Sequence, residues 1–196
     1  MSGGLCIAIM AAGAARRFAG PKLDVEFASK RLGRHALDSA LELGAKNLVI
    51  VVGDPCPQFA RDAEVEGLVS LLVNPKADRG LSGSVALAAG YAAKSKSERL
   101  LLMLGDMPFV TSATLRRLVA TASAGSPSAV RYPCGAVGIP VCLTADHFDD
   151  LLSLRGERGA SSYLNGMPQC RKIDVPAREL ADIDTRVDLA TFSITP

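Results

Sequence analysis

The sequence predicts an α/β protein whose mostly parallel sheet is covered by helices on both faces. Four apolar runs of strand length occur, at Leu5–Met10, 47–53, Val69–Val73 and Leu100–Leu104. Apart from Asn47 and Ser70 these runs are apolar. The absence of a regular apolar–polar alternation is typical of parallel strands that are buried on both faces. Segments with helical spacing separate the runs, and such an alternation of strand and helix favours a parallel sheet.

The remaining elements follow from spacing and from turn residues. Apolar residues recur at helical intervals in several segments, and Gly44 supplies a stop for the first of them. We therefore expect helices over Leu32–Leu43, Phe59–Val65, Leu81–Ala93, 112–122, Ala145–Leu154 and from Arg186 onward. The segment 23–30 is mixed and predicts an irregular connection. Prolines and glycines divide 129–141 into short pieces, which we expect to form edge strands, and 171–175 predicts a last strand.

The composition bounds the class of protein. The 196 residues are 48% hydrophobic and 21% charged, so we expect one globular domain over residues 1–196. A net charge of +2 without a long basic block gives no sign of a nucleic-acid partner. No apolar run approaches membrane-spanning length, and the N-terminus does not resemble a signal peptide. The five cysteines are scattered and odd in number, which argues against a disulfide framework and favours a cytoplasmic protein.

The two histidines, His35 and His147, stand on predicted helices away from the strand ends. We expect both to be surface residues. Because no Ser/His/Asp or Cys/His arrangement is suggested, covalent acyl chemistry is not expected.

A stretch of small residues and fixed positive charge follows the first strand. Ala11–Ala15 contains no side chain larger than a methyl group, and Arg16, Arg17 and Lys22 come soon after. Small residues let a ligand approach backbone N–H groups, and arginine and lysine suit phosphate contacts. Neither the P-loop nor the dinucleotide glycine pattern fits. By itself, the stretch is equally consistent with an ordinary turn that carries solvated arginines.

Polar residues follow several of the predicted strands, and in a parallel sheet such strand ends face one crevice. Asp106 comes directly after the most apolar strand, where a carboxylate beside phosphates suggests a Mg²⁺ ligand. Asp182 or Asp184 could supply a second carboxylate, and either could instead cap the last helix. The turn 80–84 could contact a nucleobase, ribose or phosphate, or simply cap its helix.

Several of these motifs resemble nucleotidyltransferases of the molybdenum-cofactor type. The resemblance is carried, in order, by Ala11-Ala-Gly-x-x-x-Arg-Phe-x-x-Pro-Lys22, Asn74 with Gly80-Leu-Ser-Gly-Ser84, Leu104-Gly-Asp-Met-Pro108, 156–160, and Asp182-Ile-Asp-Thr185 followed by Asp188. Within this family, the pattern is most similar to the molybdenum cofactor cytidylyltransferases.

The resemblance implies a Rossmann-like three-layer α/β/α fold of the nucleotidyltransferase (GT-A-like) type. It also implies transfer of CMP from CTP to molybdopterin, with Mg²⁺ as the cofactor and a molybdoenzyme as a further possible partner. By motif match, Arg17, Lys22 and Asp106 would be catalytic, and Asp106 and Asp184 would be the metal ligands. The nucleotide would be bound by Ala11, Ala12, Gly13, Arg17, Lys22, Asn74, Gly80, Ser82 and Ser84.

This chain departs from the family pattern at several positions. Ala15, Arg16 and Ala19 stand where the family often has glycine or serine, and Glu157 replaces an aspartate. Ile139 stands where a histidine is common in the cytidylyl enzymes, so the acceptor could be a different small phosphate. The use of GTP or another triphosphate is open as well, and so is a role as a nucleotide-binding accessory protein for molybdoenzyme maturation. A nicotinamide-dependent oxidoreductase is disfavoured by the missing glycine fingerprint.

Overall fold

A computed structural model describes residues 4–13, 15, 17, 18, 20–77, 80–154, 163 and 165–194. The strands are β1 Leu5–Ala11, β2 Glu26–Phe27, β3 Lys30–Arg31, β4 Asn47–Val52, β5 Ser70–Val73, β6 Arg99–Leu104, β7 Ser128–Arg131, β8 Val137–Thr144 and β9 Arg171–Ile173. The α-helices are α1 Leu32–Leu41, α2 Gln58–Val65, α3 Leu81–Lys94, α4 Ser112–Thr121, α5 Phe148–Leu152 and α6 Arg186–Ile194.

Across the described residues, seven strands form one sheet in the order β5-β4-β1-β6-β8-β7-β9, and β2 pairs with β3 in a hairpin. β1 is parallel to both of its neighbours, so that Ile9 lies between Ile50 of β4 and Met103 of β6. β8 runs antiparallel to β6 and β7. From β1 the chain moves first to β4 and β5 on one side and then to β6 on the other. This reversal leaves a crevice at the carboxyl ends of β1 and β6.

The continuous apolar character of the strands follows from helix packing on both faces of the sheet. Ile7 and Ile9 of β1 pack with α1, α2 and α4 on one face. Cys6 and Ala8 pack with α3 and α5 on the other face. Successive side chains of a strand point to opposite faces, and since both faces are covered, every position of β1 must be apolar. The predicted three-layer, mostly parallel α/β/α fold is confirmed.

The prediction of edge strands over 129–141 is wrong for β8, which is buried along its whole length between β6 and β7. The pairing explains how an interior strand tolerates Pro140. Ala129 pairs with Val141 but Val130 pairs with Gly138, so Ile139 and Pro140 form an irregularity without direct partners on β7. The pairing with β6 also ends at Val141, so the ladder does not need a proline N–H.

The prediction that both histidines lie at the surface is also wrong. His147 is 6% exposed, because a tight 3-10 turn at Ala145–His147 carries its ring inward, and its Nδ1 atom lies 3.1 Å from the Tyr163 hydroxyl oxygen. His35 is half-buried, and its Nε2 atom lies 2.8 Å from the carbonyl oxygen of Phe27. Both side chains therefore belong to the packed scaffold.

Within the described part of the chain, no helix is both long enough and apolar enough to cross a bilayer.

Candidate active site

The carboxyl ends of β1, β4 and β6 open into a cleft of about 1080 Å³. Small residues after β1, notably Ala12 and Gly13, form one wall, and Gly53 and Asp54 after β4 form the next. An added Cβ atom at Gly13 would meet nothing within 4 Å, so this backbone borders open space. The cleft thus lies where open α/β sheets bind ligands, with room for a group to approach the backbone.

A lysine and two aspartates meet at the bottom of this cleft. The Nζ atom of Lys22 lies 2.6 Å from Oδ2 of Asp106 and 2.8 Å from Oδ1 of Asp184. Lys22 stands on a 3-10 helix at Lys22–Asp24, Asp106 follows β6, and Asp184 precedes α6. The N–H group of Ile183 donates to the carbonyl oxygen of Asp106 at 3.0 Å and so holds the two acidic segments side by side.

The charged groups at this point are unequally buried. The side chain of Lys22 is 10% exposed, that of Asp106 20% and that of Asp184 39%. Burial by itself would lower the pKa of the Lys22 ammonium, but the charges and hydrogen bonds of Asp106 and Asp184 outweigh burial and raise this pKa above the ordinary lysine value. The other oxygen of Asp106, Oδ1, is buried and has no hydrogen-bond partner among the described residues. This oxygen therefore has bonding capacity that no described residue uses.

The last helix is capped by neither of the two candidate aspartates. Asp188 accepts hydrogen bonds from the backbone N–H groups of Asp184 and Thr185, and the Thr185 hydroxyl accepts one from the N–H group of Asp188. This reciprocal arrangement is a capping box between Thr185, which precedes α6, and Asp188 in the first turn of that helix. It leaves Asp184 free to face Lys22. Asp182 is half-buried, and burial first, then the charge of Asp184, raises the pKa of its carboxyl group.

Arg17 contacts the carboxylate of Asp184 from the solvent side. Its Nη1 atom lies 3.5 Å from Oδ2 of Asp184, and its side chain is 81% exposed. Ala15, one of the departures from the family pattern, has φ +43°, in the left-handed region that favours glycine. Two further departures, Arg16 and Ala19, lie outside the described residues, and so does the segment 156–160.

The predicted nucleotide-binding residues after β5 are largely engaged with one another. Asn74 is 4% exposed, its Nδ2 donates to Oγ of Ser84 at 3.0 Å, and its Oδ1 accepts from the N–H group of Lys76. Gly80 adopts φ +100°, which requires glycine, and lines the cleft together with Ser84. Ser82 is 5% exposed and is absent from the described cleft lining. Asn74 and Ser84 therefore hold the start of α3 against β5 in this structure.

Sequence reasoning missed one contact that positions the lysine. Asp24, two residues after Lys22, accepts hydrogen bonds from the N–H groups of Gln58 and Phe59, each at 2.8 Å. Asp24 thus caps the N-terminus of α2 from a distant part of the chain and ties the Lys22 turn to that helix. A local pattern could not reveal this contact, because 34 residues separate the two partners.

Ile139, which stands where a histidine is common in the cytidylyl enzymes, does not face the cleft. Its side chain is 3% exposed and belongs to the apolar cluster on the α3 face of the sheet. Its carbonyl oxygen accepts a 2.7 Å hydrogen bond from the Tyr132 hydroxyl. An effect of Ile139 on the acceptor would therefore not come from direct contact by its side chain.

The donor set suits a hard divalent cation better than a soft one. Among the described residues, no group of three or more His, Cys, Asp and Glu side chains could hold a metal ion alone. The two carboxylates of Asp106 and Asp184, with the unpartnered Oδ1 atom of Asp106, nevertheless match a cation that takes one or two carboxylates and completes its shell with phosphate oxygens. The residues therefore fit such an ion in the presence of a phosphate ligand.

This fold, with its cleft at the switch point where the strand order reverses between β1 and β6, is that of the nucleotidyltransferases. Rv0371c from Mycobacterium tuberculosis H37Rv superposes with a TM-score of 0.80 at 24% identity over 100% of both chains. The same protein has been solved in complex with manganese. Molybdopterin-guanine dinucleotide biosynthesis protein A from Archaeoglobus fulgidus gives a TM-score of 0.71 at 16% identity, covering 95% of this chain and 96% of its own.

The chain belongs to the family of MobA-like NTP transferase domains, whose sequence model matches residues 7–173. Bifunctional protein GlmU from Solibacter usitatus is 30% identical over 129 residues. That match covers 64% of this chain and 27% of GlmU, so the chain spans about a quarter of the length of this relative.

Proposed function

We propose that the protein is a divalent-metal-dependent nucleotidyltransferase that moves CMP from CTP onto molybdopterin and releases pyrophosphate. The observation that carries the proposed chemistry is the meeting of Lys22, Asp106 and Asp184 in the cleft at the switch point of the sheet. The choice of CTP and molybdopterin rests on the motifs from Ala11 to Asp188. The likeness of fold to a molybdopterin-guanine dinucleotide biosynthesis protein is compatible with it.

The proposed step is an in-line displacement at the α-phosphorus of the triphosphate. A phosphate oxygen of the acceptor forms the new P–O bond while the bond between the α-phosphorus and the bridging oxygen breaks. Pyrophosphate leaves with the electron pair of that bond, and a deprotonated acceptor phosphate needs no general base. Such a reaction depends on positioning and on offsetting charge, which is what a cleft with fixed lysine and arginine can supply.

Each charged residue has a role in this proposal. Lys22 and Arg17 stabilise the negative charge that builds on the departing pyrophosphate. The backbone after β1, at Ala12 and Gly13, gives the base and sugar room to approach. Asp106 and Asp184 would hold the divalent cation, which supplies Lewis-acid polarisation of phosphate oxygens when bound. The manganese complex of Rv0371c supports Mn²⁺ beside Mg²⁺ as a cation to test.

We further propose that residues 1–196 form one transferase domain that acts in the cytoplasm and passes its product to a molybdoenzyme. One observation supports the single domain, and another agrees with a cytoplasmic location; the molybdoenzyme partner rests on the family motifs. Residues from both halves of the chain join one sheet, from β5 at one edge to β9 at the other. All five cysteines are free thiols, as a reducing compartment would allow.

The direct test is pyrophosphate release with purified protein, Mg²⁺, molybdopterin and CTP, GTP, ATP or UTP in turn. Release with CTP alone would support the full proposal, and release with another triphosphate would change the base. Release only with a different small phosphate would change the acceptor. Nucleotide binding without pyrophosphate release from any pair would instead favour an accessory protein for molybdoenzyme maturation.

Substitutions test the residue roles. Lys22→Ala and Asp106→Ala should each lower turnover about a hundredfold or more, because they remove groups that stabilise charge in the transition state. Lys30→Ala is a matched control, since Lys30 pairs with Asp38 on α1, away from the cleft. If either cleft variant turns over at nearly the rate of the unmodified protein, the assignment of that residue is wrong.

A further inference from the structure

We propose that Lys22 is a built-in cation that occupies the metal position of the free protein and leaves it when a nucleoside triphosphate binds. This inference rests on the proposed function and concerns how the same site is regulated. It predicts that the nucleotide-free protein binds divalent metals weakly, although it carries two suitable carboxylates.

The first step of the argument is the position of the ammonium group. Lys22 bridges two carboxylates that come from different parts of the chain, at 2.6 Å from Asp106 and 2.8 Å from Asp184. With its side chain only 10% exposed, this contact is not a solvated surface pair. The ammonium therefore offsets one of the two negative charges of the acidic pair.

The second step is that a metal ion and this ammonium exclude each other. Mg²⁺ binds carboxylate oxygens at about 2.0–2.1 Å. Nζ already donates to Oδ2 of Asp106 and to Oδ1 of Asp184, so each carboxylate has one oxygen engaged and only Oδ1 of Asp106 lacks a partner among the described residues. Two cations on the same pair of carboxylates would lie within a few ångströms of each other beside the largely buried side chain of Asp106, and like charges at that distance repel strongly. The metal can take the full site only after Nζ has moved.

The third step is that a triphosphate offers the lysine another partner. Lys22 lines the same cleft as Ala12 and Gly13, so phosphates held along that wall would lie within reach of a flexible lysine side chain. Arg17 is a weaker competitor for Asp184, because its contact is 3.5 Å and its side chain is 81% exposed. Nucleotide binding would thus uncover the carboxylates, and by linkage, metal and nucleotide would each raise the affinity for the other.

The experiment measures Mn²⁺ binding without nucleotide, by the electron paramagnetic resonance signal of free Mn²⁺. The variants Lys22→Met and Lys22→Gln keep a side chain of similar length and lose the charge. We expect both to bind Mn²⁺ at least about tenfold more tightly than the unmodified protein, within the usual range of coupling between sites. Lys30→Met is the control: it removes the same charge from a pair with Asp38, and its Mn²⁺ affinity should stay within about twofold.

Equal Mn²⁺ affinities in the unmodified protein and in folded Lys22 variants would overturn the proposal. Circular dichroism and thermal unfolding establish whether the variants fold. If neither folds, the unmodified protein still tests the proposal, because tight Mn²⁺ binding in the absence of nucleotide contradicts an internal cation. Because the readout is not turnover, these results are distinct from a failure to release pyrophosphate, which would refute the proposed reaction.

Discussion

The packing of α1 against α2 is tested by Gly33→Ala. An added Cβ atom at Gly33 would lie 2.5 Å from Cε1 of Phe59 and 2.7 Å from two further atoms of that ring. Ordinary contacts between carbon atoms begin at about 3.5 Å, so the ring or the helix would have to retreat by roughly 1 Å. Phe59 is 2% exposed and lies in the core cluster that includes residues of α1. The substitution therefore overpacks the core.

The change in the free energy of unfolding for Gly33→Ala follows from two opposing effects. Overpacking of this kind costs about 1–3 kcal/mol. The gain in helix propensity from glycine to alanine is at most about 1 kcal/mol and is smaller in the first turn, where Gly33 stands. We expect the free energy of unfolding to fall by about 1–2 kcal/mol. For a chain of this size, that corresponds to a Tm lower by roughly 3–6 °C.

The assay is urea unfolding followed by far-ultraviolet circular dichroism, because the sequence contains no tryptophan to report by fluorescence. Gly90→Ala in the interior of α3 is the matched control. Its added Cβ atom would lie 3.6 Å from Leu152, an ordinary contact, so helix propensity should stabilise that variant by about 0.5–1 kcal/mol. A Gly33 variant as stable as the unmodified protein, or two variants with the same sign, would refute the packing argument.

Two further predictions concern charges. Both carboxylate oxygens of Asp24 accept a backbone hydrogen bond from α2, and asparagine can replace only one of them, since its NH₂ group cannot accept. Asp24→Asn should therefore lower the free energy of unfolding by about 1 kcal/mol. Asp54→Asn changes an exposed carboxylate on the same cleft and should change this free energy by less than about 0.5 kcal/mol; equal losses in urea unfolding would contradict the cap. At Asp38, burial would raise the pKa, but hydrogen bonds from Lys30 and Arg34 hold this pKa below its ordinary 3.8. A carboxyl group whose pKa is lower in the folded state stabilises the protein above about pH 4, and this stabilisation is lost as the pH falls. The urea midpoint of unfolding should therefore differ less between about pH 7 and about pH 3 in Asp38→Asn than in the unmodified protein. An unchanged difference would contradict the pairing of Asp38 with Lys30 and Arg34.

Local pattern was sufficient for most of the strands and helices. Apolar runs with flanking turn residues identified β1, β4, β5 and β6 to within a residue or two. The runs are clearest in β1, β4 and β6, because helices cover both faces of these interior strands. The same pattern placed Asp106 at a strand end. It failed at β8, where an irregular pairing lets Pro140 sit inside the sheet, and at His147, which a tight turn carries inward.

The partners within the cleft could not be predicted in the same way. Lys22 meets Asp106 across 84 residues and Asp184 across 162, and Asp24 reaches α2 across 34. Such contacts depend on the order of the strands in the sheet, which the periodicity of a single segment does not contain. The choice between Asp182 and Asp184 as the partner of Lys22 likewise needed the structure, because it depends on Asp188 taking over the cap of α6.

The sequence by itself determined the alternation of buried strands and helices and the small, basic loop after β1, because both depend only on residues that are close together along the chain. Only the tertiary structure decided which side chains the lysine of that loop, Lys22, contacts. The ammonium group of Lys22 lies between two carboxylates because β1 and β6 are neighbours and the segment before α6 returns to the same edge of the sheet. Folding brings together charges that are distant along the chain, and burial then makes their pairing necessary.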